Sequence, residues 1–302
     1  MPGVLCGLAA VLLWGTAPVT LKAMVGDLPG ALASAAIYSL AALITLPWLW
    51  RAVRQGGVPM QTWLALIAIG LMLTSAFNML VSLAAPGVRG TTIGAIVALE
   101  PLMVALFAAA LTRRWPARTT MAAVLLSLIG VWLLIAPGPT VNVGARDATW
   151  AIALVVLGAM LWSLAVVLAA RLPTPWSPLQ TSMVLIGTGS LPFLFAAPLL
   201  PGWSTVPWSA GLVASVSFMA VGVTVLANVL WLRALRAMGA VSTSLLINLV
   251  PLTAVTLSVL WLGEPWSPRQ LAGALLVLCG LSLPTLLLRW TRPAASSDPS
   301  TP

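Results

Sequence analysis

Apolar runs close to twenty residues long follow one another along this chain with little between them. Ten can be drawn, near residues 4–24, 30–50, 61–84, 92–112, 119–137, 149–170, 178–200, 209–232, 241–262 and 269–288. Roughly 20 apolar residues in a helix cross the hydrocarbon core of a bilayer. In that core every backbone polar group needs a partner within the protein, which favours helices. Composition agrees, with 61% hydrophobic and 6% charged residues against about 25% charged in soluble domains. Connections this short leave no room for an extramembrane domain. The expected fold is an all-α membrane protein with ten transmembrane helices and the lipid bilayer as its surroundings.

A net charge of +9 does not point to nucleic acid, because the basic residues stand singly or in pairs at helix ends. Basic residues beside spans favour the cytoplasm. With the N-terminus inside, that side receives ten: Arg51, Arg54, Arg113, Arg114, Arg118, Arg171, Arg233, Arg236, Arg289 and Arg292. The outer side receives four: Lys22, Arg89, Arg146 and Arg269. Both termini are therefore expected in the cytoplasm, and the membrane is expected to be a bacterial inner membrane. Cys6 and Cys279 fall within predicted spans, which argues against a disulfide framework. Without histidine, neither a metal site nor a cofactor is expected. The first run lacks a basic leader and an A-x-A cleavage site, so it reads as a helix rather than a signal peptide. Residues 291–302, with "PAASSDPSTP", read as a disordered cytoplasmic tail.

The chain also repeats itself. "FNMLVSLAAPGVRGTTIGAIVALEPL" (77–102) aligns without a gap on "ANVLWLRALRAMGAVSTSLLINLVPL" (227–252), at an offset of 150. Asn78 meets Asn228, Ala84 meets Ala234, Pro101 meets Pro251, and further on Gly130 meets Gly280. "LLWG" (12–15) meets "MLWS" (160–163) at an offset of 148, pairing Trp14 with Trp162. A long internal period of this kind takes precedence over local readings. The domains are expected at 1–140 and 141–290, each a repeat of five helices. Five is odd, so the second copy must lie upside down relative to the first. Charge follows suit: "TRRWPAR" after helix 4 holds three arginines, and its counterpart "GEPWSPR" after helix 9 holds one plus Glu264. Inverted repeats are common in secondary transporters, whose sites lie near the midplane where the repeats meet.

These features resemble the EamA-type branch of the drug/metabolite transporter superfamily. The residues that carry the resemblance are the duplicated halves, "ALEPLMVALFAAAL" in helix 4, and "LVPLTAVTLSVLWLGEPWSPRQLAGALLVLCG" (249–280). Each half in that family ends with a Pro-containing helix, a Gly-Glu turn and a Gly-rich helix. Gly263 and Glu264 match the turn, whereas Arg113 and Arg114 stand at the corresponding place of the first half. The resemblance covers about residues 3–288. It implies a non-enzymatic carrier of small molecules that works by alternating access, with export of amino acids or similar metabolites as the first choice. Similar members move sugars, nucleotide derivatives or organic cations.

Among individual residues, Glu100 stands near the middle of helix 4. A charged side chain there costs roughly 2.5–3.5 kcal/mol on insertion scales, and intramembrane ionisable groups are functional-site candidates by default. Proton coupling or binding of a substrate amine is one role; a protonated acid that hydrogen-bonds the bundle is the other, and both stay open. Pro101 and Pro251 remove a donor and clash with the carbonyl four residues back, at Val97 and Ile247. Kinked helices 4 and 9 should therefore line a central cavity, since freed backbone groups are tolerated there. Thr74, Asn78 and Ser82 share a face of helix 3, and Ser217, Thr224, Asn228 and Trp231 recur in helix 8. Helix 9 adds Ser244 and Asn248 on one face, and these polar faces are expected to support the cavity. Interhelical hydrogen bonding, worth about 0.6 kcal/mol per contact, is the plainer role for the hydroxyls. Asn78 and Asn228 are expected at the cavity.

Trp14, which shares a face with Pro18, and Tyr38 lie mid-span and are expected to gate the path or stack on substrate. Most other tryptophans stand near helix ends as interfacial anchors, but Trp162 does not. Lys22 is close enough to a helix end to snorkel. "IGTGS" (186–190) reads as close helix packing, because a phosphate loop needs a soluble strand-turn-helix setting. An anionic substrate such as a nucleotide sugar would want bases within the spans, which are lacking. An intramembrane enzyme would want clustered acids or a histidine base, also lacking; counterflow separates a carrier from a channel.

Overall fold

The computed structural model describes residues 2–24, 26–28, 30–88, 90–135, 149–262 and 267–290. The Gly263–Glu264 turn, Arg89, Arg146, Arg292, the tail and the proposed 140/141 boundary lie outside the described residues. All regular elements among the described residues are helical. Among the described residues, seven helices are long and apolar enough to cross a membrane: Pro2–Leu21, Gly30–Gln55, Met60–Ala84, Thr149–Arg171, Pro178–Leu199, Ala210–Met238 and Ala240–Leu257. Three shorter apolar helices, Glu100–Thr112, Arg118–Leu134 and Pro268–Leu281, accompany them.

Unbroken rods come from runs without a mid-span breaker or with one that is tolerated: α1 (Pro2–Met24), which accommodates Pro18, and α2 (Gly30–Gln55). The third run is composite. α3 (Met60–Gly70) passes through a π-helical stretch, Leu71–Ala76, into α4 (Phe77–Ala84). The run near 92–112 is divided into α5 (Gly90–Val97) and α6 (Glu100–Thr112), with a turn at Ala98–Leu99. Pro101 explains the division, since it cannot donate to Val97 and its ring crowds that carbonyl. α7 (Arg118–Ile135) ends the first half.

The second half repeats the plan. α8 (Thr149–Arg171) and α9 (Pro178–Ala196) are continuous. Next, α10 (Ala210–Phe218) passes through a π-helical stretch, Met219–Leu226, into α11 (Ala227–Met238). α12 (Ala240–Ser244) tightens into a 3-10 turn, Leu245–Asn248, before α13 (Leu249–Leu262), which holds Pro251. α14 (Pro268–Trp290) closes the order.

Packing exchanges partners between the halves. α1 lies on α11 and α13, while α8 lies on α4 and α6; α2 packs on α9, and α7 on α14. The last pair touches backbone to backbone. A Cβ on Gly130 would lie 2.7 Å from the Gly273 carbonyl oxygen, and one on Gly273 2.6 Å from that of Gly130. Small residues let helices approach this closely in a bilayer, where hydrophobicity alone does not join them. Among the described residues α7 and α14 contribute nothing to the cavity. The remaining helices are free to frame a site.

Candidate functional site

Both composite crossings end in the same local motif. Asn78 Nδ2 donates to Thr74 O at 2.8 Å, and Asn228 Nδ2 to Thr224 O at 2.7 Å. Each pair sits where a π-helical stretch returns to α-helix, a departure often found at functional sites. At the second, Ala227 N–H reaches back five residues to Gly222 O. The next carbonyl, Val223 O, accepts from Trp14 Nε1 at 3.1 Å. A distortion in one half thus anchors a tryptophan from the other.

These elements surround a half-open cavity of about 480 Å³. Its lining runs from Trp14 to Leu21 on α1, from Ser34 to Tyr38 on α2 and from Gly94 to Val97 on α5, so it extends toward the connection between α1 and α2. The structure brings Glu100, Asn78, Asn228 and Asn248 to this cavity, together with Trp14, Tyr38, Trp162, Pro18 and Pro251. Two expected residues are not on its wall. Ser244 is buried with its hydroxyl donating to Val241 O at 2.9 Å, and Pro101 is buried beside Glu100 in the first turn of α6.

Glu100 is 3% exposed and is the only charged residue among the described lining. Asn248 is fully buried, and both polar atoms of its amide lack a partner. An orphaned amide costs about 1–3 kcal/mol, which makes it available to a ligand as both donor and acceptor. Tyr38 stacks on Phe193 at 4.9 Å and turns its hydroxyl to the Asn78 side chain. Among the described residues, no group of three His, Cys, Asp or Glu could hold a metal ion.

Three tryptophans close the deep end. Trp14 lies 5.0 Å from Trp231 and 6.4 Å from Trp162, and Trp162 lies 6.4 Å from Trp231. Behind them a dense apolar cluster, including Val11, Leu66, Val104, Val166 and Leu235, fills the other half of the bundle. At the far face, Arg236 Nη2 donates to Thr174 Oγ1 at 3.0 Å and Thr181 Oγ1 at 3.1 Å. Gln180 Nε2 donates to Gln55 Oε1 at 2.9 Å.

Sequence reasoning missed Ser34, Phe77 and Met219 on the wall and both π-helical stretches. Spacing held a partial signal, because Thr74–Asn78 and Thr224–Asn228 recur four apart and 150 residues from each other. No local pattern distinguishes a π-helical turn from an α-helical one in so apolar a run.

A polytopic helical protein whose halves enclose a largely apolar cavity with a few polar groups is a membrane transporter in form. The sequence signature of the EamA-like transporter family matches residues 1–136 and 149–286, and the chain belongs to that family, with its two-repeat architecture. It is 28% identical over 221 residues to the uncharacterized transporter YyaM of Bacillus subtilis (strain 168), covering 72% of this chain and 67% of that protein. A crystal structure superimposes with a TM-score of 0.78 over 96% of this chain and 99% of the other, at 19% identity, which speaks for the fold alone.

Proposed function

We propose that this transporter exports amino acids or similar small metabolites across a bacterial inner membrane by alternating access, coupled to protons through Glu100. It does so as ten spans in two inverted five-helix repeats, 1–140 and 141–290, with both termini and the 291–302 tail in the cytoplasm. The positive-inside rule supports that orientation, and it turns the open cavity outward, to the side where an exporter releases its load. One observation carries the reading: a single carboxyl group faces a cavity shared by both halves and has no basic residue on the described lining. A substrate ammonium can pair with Glu100, and a proton can replace it. The free amide of Asn248 offers a donor to a substrate carboxylate, and the aromatic wall takes an apolar body.

A nucleotide sugar or other anion finds no base on this lining, which disfavours that substrate class. Catalysis gains no support from a cavity with one acid. A channel is separated by counterflow, which only a carrier sustains.

The test is efflux of a labelled amino-acid mixture from proteoliposomes, with native protein and Glu100→Gln compared with and without a pH gradient. Native protein should release particular solutes, and the gradient should accelerate release only while Glu100 is present. Equal behaviour of the two proteins makes Glu100 structural. Release no faster than from empty vesicles removes amino acids as the substrate.

A further inference from the structure

We infer that a small void beside Asn228 is the closed second half of the substrate path, the counterpart in one repeat of the open entrance in the other. The inference rests on the alternating-access reading above. The void measures about 20 Å³, room for one water. It shares Leu73, Thr74 and Asn228 with the main cavity and continues away from it between Ala169, Ser182 and Trp231.

The repeat decides what this void is. α2 begins at Gly30 and α9 at Pro178, 148 residues apart; α3 begins at Met60 and α10 at Ala210, 150 apart. At these offsets Ser182, Leu185 and Ile186 of the void correspond to Ser34, Ile37 and Tyr38. At the same two offsets Ala169 corresponds to Leu21, Thr74 to Thr224 and Asn228 to Asn78. All six counterparts line the open cavity. Trp231 and Leu232, which also line the void, depart from the pattern, because their counterparts Val81 and Ser82 are not on the wall of the open cavity. A packing defect has no reason to follow the repeat at the positions that do correspond. Two inverted repeats, by contrast, must frame two access routes with equivalent residues, one open while the other is shut.

Two features shut this one. Trp231, 3% exposed with its Nε1 unpartnered, fills a position whose counterpart is Val81, which is not on the wall of the main cavity. Beyond it, Arg236 is tied to Thr174 and Thr181. The positions that correspond to these three at the entrance are Pro86, Gly26 and Ala33, which have no side-chain donor or acceptor. At these corresponding positions the latch is present at one face and lacking at the other, which favours the state with the entrance open. Once the seam widens, the Ser182 hydroxyl and the Trp231 N–H offer hydrogen bonds to a passing polar solute.

Thiol labelling tests the route. Single-cysteine variants Ser34→Cys and Ser182→Cys are made with Cys6→Ala and Cys279→Ala, and a membrane-impermeant methanethiosulfonate is applied to vesicles of either orientation. Ser34→Cys should react from the entrance face, and Ser182→Cys, more slowly, from the Arg236 face. Adding Arg236→Ala should raise the Ser182→Cys rate by up to about tenfold and lower the Ser34→Cys rate by a smaller factor, as expected for losing hydrogen bonds to a charged group that hold one of two states. Because Ser182 is buried, Leu185→Cys is a second probe on the same wall, and tryptophan fluorescence reports folding. Ser182→Cys and Leu185→Cys inert from the Arg236 face, while Arg236→Ala still slows Ser34→Cys, overturn the route and leave alternating access standing. Reaction of Ser34→Cys from both faces removes alternating access itself.

Discussion

In the first repeat a π-helical stretch ends at Ala76, and in the second at Leu226, 150 residues later; an asparagine follows each by two positions and bonds back to a threonine carbonyl. Around these matched motifs the repeats part company. At the same offset Glu100 faces Val250, Asn248 faces Ala98, and Trp231 faces Val81. The matched parts are backbone irregularities, which a path that opens at either end needs twice. The unmatched parts are polar or bulky side chains, and binding chemistry in a shared cavity is needed once. The backbone irregularities follow the repeat, and the polar side chains of Glu100 and Asn248 in the cavity do not.

The same comparison extends to helix packing and predicts the largest effect. α3 crosses α9 at Gly70 and Gly189, where a Cβ on Gly189 would fall on the Gly70 carbonyl. The corresponding positions of the other crossing are Ala220 and Ala41, both fully buried. The glycine crossing lies on the side of the void, so that side is also the more tightly packed one. Gly189→Ala should destabilise by about 1–3 kcal/mol, the usual range for overpacking, read as a lower melting temperature in detergent. Ala41→Gly adds no atom and should lose only about 0.5–1 kcal/mol through backbone freedom. Equal losses at the two sites would mean that the crossings do not differ in tightness.

Chemistry can be moved between the repeats as well. Glu100→Val should lower substrate efflux at least about tenfold, an effect of the size expected when one charged interaction is lost. Val250 also lines the cavity. If an acid is needed only within this space, Glu100→Val with Val250→Glu should recover a measurable share of that loss in the same efflux assay. Recovery of pH-gradient dependence along with the rate would tie coupling to the carboxyl group rather than to helix α6. A double variant as inactive as Glu100→Val would place the requirement in the local setting of Glu100.

Much of this frame was legible because its determinants are local or periodic. Twenty-residue apolar runs, the 150-residue register, and prolines at 101 and 251 each constrain backbone structure directly. Thus irregular backbone at the two prolines and several of the wall residues could be named in advance, from Trp14 and Asn78 to Asn228 and Asn248. Ser244 was misplaced on the wall because a short helix tightens into a 3-10 turn after it, which rotates its face away from that of Asn248. The divided helix at Ala98–Leu99 was anticipated only as a kink. The Trp14–Val223 bond and the Arg236 latch join residues 209 and 55–62 positions apart. Nothing in a one-dimensional pattern reports such pairings.

The smallest effects concern the two tryptophans that touch at 5.0 Å. Trp14 Nε1 has the Val223 carbonyl as its acceptor, whereas Trp231 Nε1 has none. Trp14→Phe therefore removes a hydrogen bond and leaves a carbonyl at a π-helical turn without that donor, a loss of about 1 kcal/mol. Trp231→Phe removes a buried donor that nothing satisfies, and this gain offsets part of the packing lost with the smaller ring. Its net change should stay within about 1 kcal/mol of the native protein. Melting temperatures of the two variants, measured side by side, separate the cases: Trp14→Phe should fall clearly below Trp231→Phe. The opposite order would show that Trp231 contributes more by filling the seam than its unpartnered N–H takes away.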